Sequence, residues 1–283
     1  MDIANILTDA LLSALRITGL VVIMMMIIET LNICSRGRIF TRLQRTKLGQ
    51  IVVSALLGWI PGCMGGFASV SLFSHGMISF GALVAMLIAT MGDESFVMLT
   101  LFPGKALLIS AFCLVTGILV GVIIDYLGPR LGLKAYTIKA CGQMELQGPK
   151  EHDLSWKLII SHLWNHVIAK HAVRIFAWSF GVLILLGFIT KVYDISAWIS
   201  SNTPLMIILA TLIGIIPESG PHLIFVTLFA SGVVPFPVLI ASCISQDGHA
   251  SLPLLAESKG AFLRAKAINC AVALIIGFIA MLI

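Results

Sequence analysis

Charge is what this sequence has least of. Asp, Glu, Lys and Arg together make up 11% of 283 residues, where a soluble domain of this length carries about 25%. With 59% hydrophobic residues and a mean hydropathy of +1.05, the chain must be dissolved mainly in lipid. Cysteine is sparse and scattered: Cys34, Cys63, Cys113, Cys141, Cys243 and Cys270 contain no CxxC pair, which excludes a zinc finger or a disulfide framework. Only Cys63 falls beside a chain break. No G-x-x-x-x-G-K-[ST] loop is present, so nothing points to an ATP-driven pump. The start also lacks a basic n-region, carrying Asp2 and Asp9 instead, and its apolar stretch is too long for a cleavable signal. The first segment is therefore expected to be a retained helix.

Apolar stretches long enough to span a bilayer, about 20 residues each, occur near 8–34, 104–127, 171–192 and 265–283. Between them lie two regions, 48–102 and 204–258, that are apolar but interrupted by Pro, Gly and charge. Such interruptions are tolerated at membrane depth only where the backbone is buried in protein or lines a cavity. The two regions are copies of one another. Shifting by 156 residues aligns 56–99 with 212–255 without a gap and with 15 of 44 positions identical. The identities include Ile60/Ile216, Pro61/Pro217, Gly76/Gly232, Phe80/Phe236, Gly92/Gly248 and Ser95/Ser251, and shared apolarity does not produce matched Pro and Gly. Ala14-Leu-Arg16-Ile17 likewise echoes Ala172-Val-Arg174-Ile175, and Gly104 and Gly121 echo Gly260 and Gly277.

The distribution of positive charge predicts that the copies are inverted. Residues 35–47 carry Arg36, Arg38, Arg42, Arg45 and Lys47, whereas the counterpart 193–203 has no Lys or Arg. Further on the balance reverses: 102–106 has only Lys105, but 258–266 has Lys259, Arg264 and Lys266. The central linker is basic and polar. Each half should then cross an odd number of times, with segment 35–47 and linker 128–170 cytoplasmic and both termini outside. That count is met if 48–60 and 62–76 form a re-entrant hairpin tipped by Ile-Pro-Gly and 78–102 is a broken span, repeated in the second half around Ile-Pro-Glu-Ser-Gly-Pro. A straight-through broken helix is the alternative. The expected fold is an all-α polytopic membrane protein of two inverted-topology repeats, about five helices each counting hairpin arms. Its re-entrant or broken helices meet near the midplane. The expected organisation is an N-terminal repeat over 1–128, a cytoplasmic linker and amphipathic segment over 129–170, and a C-terminal inverted repeat over 171–283.

Transporters of this design hold their cargo where broken helices from the two halves meet. Four breaks are candidates: Pro61–Gly66, Met91–Glu94, Pro217–His222 and Gln246–His249. They carry Asp93, Glu94, Glu218, His222, Gln246, Asp247 and His249, with Cys63 and Ser219 beside them; Asp93 and His249 occupy equivalent positions. Carboxylates and imidazoles at membrane depth are unfavourable and mark ion or proton paths. Oxygen and imidazole donors suit manganese, iron or zinc, whereas arsenite needs several thiolates and only Cys63 is on offer. A divalent cation is therefore expected as cargo, manganese above the others. Because ligands must lose protons to bind metal, Asp247 and His249 could support proton exchange.

Plainer roles compete with these. Arg16 and Arg174 lie within spans and could neutralise Asp93 and Asp247 as structural ion pairs. Glu29 could snorkel to the interface or stand at an entrance. His75, opposite Ser231 in the repeat, reads as a packing residue, and Met24–Met26 circles its helix towards lipid. His162 and His166 have metal-binding spacing, but Trp156 and Trp164 favour an interfacial helix.

The stretches V-S-L-F-S-H-G, S-F-G-A-L-V-A-M-L-I-A-T-M-G-D-E and I-P-E-S-G-P-H…S-Q-D-G-H-A-S-L-P-L-L-A-E-S-K resemble the ten-helix heavy-metal exporters, an ArsP-like family labelled variously as arsenic efflux proteins or manganese transporters. The likeness spans nearly the whole chain. It implies a multi-pass bacterial inner-membrane exporter, and the outward direction rests on that resemblance alone. The partners expected are a divalent metal ion and membrane lipid, with no nucleic acid; a homodimer is left open, and no cofactor is expected. Two other functions stay on the table. An exporter of an anion or metalloid could use helix N-termini at the hairpin tips and Cys63. A lipid-pyrophosphate phosphatase could use Glu218, Ser219 and a histidine, but neither tip offers the arginine such chemistry needs. The expectation is a transporter and not an enzyme.

Overall fold

The computed structural model describes residues 46–128 except 63 and 75, residues 201–282, and a few helical positions within 7–23 and 173–184. Among these residues the chain is all-helical. The first run contains α1 (Lys47–Trp59), α2 (Met64–Ser74), α3 (Phe80–Ala89), α4 (Glu94–Leu101) and α5 (Pro103–Leu127). The second contains α6 (Thr203–Ile213), α7 (Gly220–Ala230), α8 (Phe236–Ser245), a 3-10 turn at Gly248–Ser251, α9 (Leu252–Glu257) and α10 (Lys259–Leu282).

Local sequence sets these boundaries. Thr46 caps α1 by accepting from the Gly49 amide at 3.0 Å, and Ser79 caps α3 by accepting from the Ala82 amide at 3.1 Å, each supplying an acceptor for an otherwise orphaned amide. Proline stands in the first turn of α5, α6, α7, α8 and α9, where its missing N–H removes no helical bond. Left-handed glycines break the chain: Gly76 (φ 69°) and Gly232 (φ 73°), Gly92 (φ 55°) and Gly248 (φ 53°). These are matched pairs in the sequence repeat. The helices follow the same shift of 156 residues that separates Thr90 from Gln246: Thr203 answers Lys47, Gly220 answers Met64, Phe236 answers Phe80 and Lys259 answers Pro103.

Among the described residues, three segments are long and apolar enough to cross a membrane: Phe80–Leu101, Pro103–Leu127 and Lys259–Leu282. The first is α3 and α4 taken together across their break, and 94% of its apolar window is buried, against 28% for each of the other two. Among the described residues the broken span is thus the core, and the two continuous helices are mostly peripheral to it. Helices α1, α2, α6 and α7 are apolar but too short to cross alone. The apolar stretch read as 265–283 begins earlier than expected, because α10 starts at Lys259. The stretches read as 8–34 and 171–192 lie largely outside the described residues.

Close approaches fix the directions of the helices. At Gly121 a Cβ would stand 2.7 Å from the Gly81 carbonyl oxygen and 3.0 Å from Ile51, and at Gly117 one would stand 2.5 Å from the Ala85 carbonyl oxygen. Small residues four apart let backbones touch where no hydrophobic drive separates helix from lipid. Asp125, further along α5, accepts from Ser79 Oγ at 2.5 Å and from the Gly81 amide at 2.9 Å, so α5 runs antiparallel to α3. Ile51 lies at that same end, Gly58 packs on Met86, and the Gly62 amide reaches the Gly92 carbonyl at 3.4 Å. Helix α1 therefore runs alongside α3 in the same direction. In the second run Ile207 and Gly277 meet at Pro237 and Ala241, while Gly214 packs on Ser245. The same three-helix arrangement of α6, α8 and α10 results.

Candidate functional site: the crossing of two broken helices

The two breaks meet back to back. A Cβ on Gly92 would lie 3.5 Å from Gly248 Cα, and one on Gly248 would lie 3.4 Å from Gly92 Cα. The positive φ at both positions and the absence of a side chain are what allow the contact. Beside it the Gln246 side-chain amide donates to the Thr90 carbonyl at 3.5 Å, again joining counterparts. The hairpin tips close on the same point. Gly66 packs on Ala250, and Ser219 Oγ sits against Gly92 and Gly248. All four breaks picked out in the sequence thus come together.

Around this crossing an apolar core holds an unusual density of polar groups. Asp93, Glu94, Ser219, His222, Gln246 and Asp247 are all buried. His249 Nε2 lies 3.3 Å from Glu218 Oε1, with the glutamate the more accessible partner. His222 Nδ1 is 3.2 Å from Ser242 Oγ. The Gln246 side-chain oxygen accepts from the Gly248 amide at 2.9 Å, which holds the left-handed turn. Ser251 donates to Asp247 Oδ1 at 2.9 Å. Several atoms here are buried without a protein hydrogen-bond partner: Glu94 Oε1, Ser219 Oγ, His222 Nε2, Asp247 Oδ2 and Thr90 Oγ1. Native structures leave few such atoms, and each calls for an explanation such as a bound ion, water or a proton path.

The residues singled out from sequence divide into separate groups. Glu218 and His249 form one pair, His222 joins Ser242, and Asp247 stands apart with its own partner. Among the described residues no three His, Cys, Asp or Glu side chains gather as a set that could hold a metal ion. Cys63, Arg16, Arg174 and Glu29 lie outside the described residues, as do His75, His162 and His166.

The sequence predicts a loop charge at Lys266, within the 258–266 segment, and an arginine within a span, Arg16 or Arg174, as the neutralising partner of Asp247. Lys266 is instead inside α10, 3% exposed, with Nζ 2.9 Å from Asp247 Oδ1. Its ammonium also donates to the Gly214 carbonyl at 2.6 Å and the Ser245 carbonyl at 3.4 Å. The pairing is physically required, since a buried carboxylate without a cation would be strongly unfavourable. A signal was available: Lys266 stands within the stretch A-F-L-R-A-K-A-I-N-C-A-V-A-L, and an ionisable residue in a span is a functional candidate by default. Asn269, one turn further, is fully buried, and neither of its amide atoms has a partner; it too went unnoticed in the sequence.

The crossing thus lies at the buried centre of an all-helical, apolar structure. Among curated proteins and solved structures no match was found. The family model described as "Putative, 10TM heavy-metal exporter" matches residues 2–185 and 159–283. The chain belongs to this family of ten-transmembrane heavy-metal exporters.

Proposed function

We propose that the protein is a secondary-active exporter of a divalent heavy metal in a bacterial inner membrane, with manganese as the preferred cargo and protons as the exchanged ion. The observation that carries this reading is the crossing at Gly92 and Gly248, where buried carboxylates and imidazoles surround touching backbones. Carboxylate, carbonyl and imidazole donors fit a borderline-hard divalent cation better than a thiophilic metalloid. Asp93, Glu94, Glu218, His222, Gln246, Asp247 and His249 are the groups assigned to the path, with Ser219 accessory. Because no set of three carboxylates or imidazoles is assembled among the described residues, the cargo would be passed between smaller sites and backbone oxygens.

The architecture in this reading is a pair of inverted repeats, 1–128 and 171–283, joined by a linker at 129–170. Supporting it, Phe229 near the end of α7 stacks edge-on against Phe102 at 5.1 Å, and Lys105 lies over the Phe229 ring at 5.2 Å. The outer end of the second half's short arm thus reaches the start of α5, the end of the molecule opposite Ser79 and Asp125. Helix α2 is read as the returning arm of a re-entrant hairpin, because α1 and α3 run in the same direction and Phe73 lies 6.1 Å from Phe80. The excess of Lys and Arg in residues 35–47 supports a cytoplasmic position for that segment, with both termini outside.

The test is a metal-sensitivity screen of a strain lacking the protein, reading cell-associated manganese, iron, zinc and arsenic together. Restoring the protein should lower manganese selectively, and Asp93→Asn, Asp247→Asn and His249→Ala should each remove that effect while the protein still reaches the membrane. Unchanged manganese resistance in cells carrying all three substitutions would refute the assigned path, and a change confined to arsenic would refute the cargo.

A further inference from the structure

The surroundings of Lys266 are those of a cation site. An ammonium has three donors, and all three acceptors here are oxygens: Asp247 Oδ1 at 2.9 Å, the Gly214 carbonyl at 2.6 Å and the Ser245 carbonyl at 3.4 Å. Gly214 is the C-cap of α6 and Ser245 the last residue of α8. Both carbonyls therefore stand at helix C-terminal ends, where the peptide dipoles concentrate negative potential. Ser251 Oγ lies alongside, and Asp247 Oδ2 is buried without a protein partner, an acceptor that the ammonium leaves unused.

Stability alone does not account for this arrangement. A buried ion pair is weak evidence for stabilisation, since apolar residues of similar volume commonly do as well. The protein contains that comparison itself. The positions equivalent to Asp247 and Lys266 in the first half are Met91 and Ser110. There, with Trp59, Pro61 and Ser95, they line an apolar cavity. The same skeleton is thus built once with a charged plug and once with none, so packing does not demand the lysine.

We propose that the Lys266 ammonium is a tethered stand-in for the transported ion. In this view the cage of Asp247, the Gly214 and Ser245 carbonyls and Ser251 binds a hard, oxygen-seeking divalent cation once Lys266 swings out. This rests on the reading of the protein as a cation carrier and sharpens it. Carbonyl and carboxylate oxygens without sulfur select manganese, magnesium or calcium over soft metals. Six-coordination of such an ion would also engage the unused Asp247 oxygen. Lys266 makes entry competitive: the site holds either the lysine or the ion, which keeps an empty carrier from presenting a bare carboxylate at membrane depth.

The experiment uses the full-length protein purified in detergent, titrated with manganese alone and read by equilibrium ion binding and by Tm. In Lys266→Met the internal competitor is gone, so half-saturation should fall at least about tenfold below that of the wild type, by mass action. Lys266→Met combined with Asp247→Asn should lose the gain. If Lys266→Met does not assemble, Lys266→Leu, which likewise removes the ammonium and offers the two carbonyls no donor, takes its place. Equal saturation of wild type and Lys266 variant overturns the proposal, as does a gain that persists in the double variant. Proteoliposome transport separates this from the exporter reading. Manganese carried by the wild type with no gain in the Lys266 variant removes the cage and keeps the exporter. A gain of binding in a protein that carries no heavy metal removes the exporter and keeps the cage.

Discussion

The two helical runs, Lys47–Leu127 and Thr203–Leu282, start and stop at equivalent places and break at equivalent glycines, yet they differ in what they bury. In the first run the positions around the break are Gly58, Met86, Ala89, Met91, Ser110 and Cys113. Their counterparts in the second are Gly214, Ser242, Ser245, Asp247, Lys266 and Asn269. The first run contributes Asp93 and Glu94, and beyond these its buried polar side chains are mostly hydroxyls such as Ser54, Ser69 and Thr90, with α3 buried throughout from Gly81 to Ala89. The second has become a polar network on the same frame. Duplication gives both halves one set of helix boundaries because caps, prolines and glycines act locally. Chemistry could then diverge in one half while the other retained the packing.

Substitutions can break that comparison, and the largest effect is expected at Lys266 and Asp247. Removing either partner alone leaves an uncompensated buried charge, destabilising the unliganded protein by about 3–5 kcal/mol. Ser110→Ala at the position equivalent to Lys266 should change stability by less than about 0.5 kcal/mol. Chemical denaturation of the single and double variants would show it, with Lys266→Met and Asp247→Asn far from additive. If the lysine variant proved no more costly than the serine variant, the halves would not differ in the way described.

Next in size is the scaffold. Gly117→Leu or Gly121→Leu should separate α5 from α3 and destabilise the protein by roughly 1–3 kcal/mol or prevent assembly. The second half offers Ala273 and Gly277 at the same places, and Ala273→Gly should be far milder. Thermal unfolding in detergent would rank them.

At the crossing, Gly92→Ala and Gly248→Ala should each destabilise by about 1–2 kcal/mol, since both hold positive φ and face each other. Similar effects in the two halves are expected here because this feature is shared. A tolerated change at one glycine and collapse at the other would show that the contact is not symmetric. The smallest stability change is expected for Glu218→Gln. Its partner His249 is 11% exposed and the glutamate 34%, and a partly solvated pair contributes no more than about 1 kcal/mol. Transport should nonetheless fall sharply if that pair lies on the ion path, so the ratio of transport loss to Tm shift is the informative measurement.

Much of the frame was legible in the residues. Pro61, Gly76, Gly92 and their partners 156 positions on mark the breaks, because Pro and Gly act on their own backbone. The split of 78–102 into two helices was readable for the same reason, and α3 and α4 meet at 90–93. The site was less legible. Asp247, His249 and Glu218 are readable as ionisable groups at breaks, but which of them pair, and that Asp247 takes Lys266, is not. Lys266 looked like a topological charge beside Lys259 and Arg264, since spacing along a helix does not reveal whether a residue faces lipid, water or another helix.

Composition alone determined that this protein lives in lipid, and repetition alone determined that it is built twice, because hydropathy and backbone punctuation are properties of single residues and short windows. Only the folded chain decided which buried charges meet. Lys266 finds Asp247 and the carbonyls of Gly214 and Ser245 because α6, α8 and α10 pack closely through Gly214 and Gly277. In a medium without water a charge must take whatever partner that packing brings within reach.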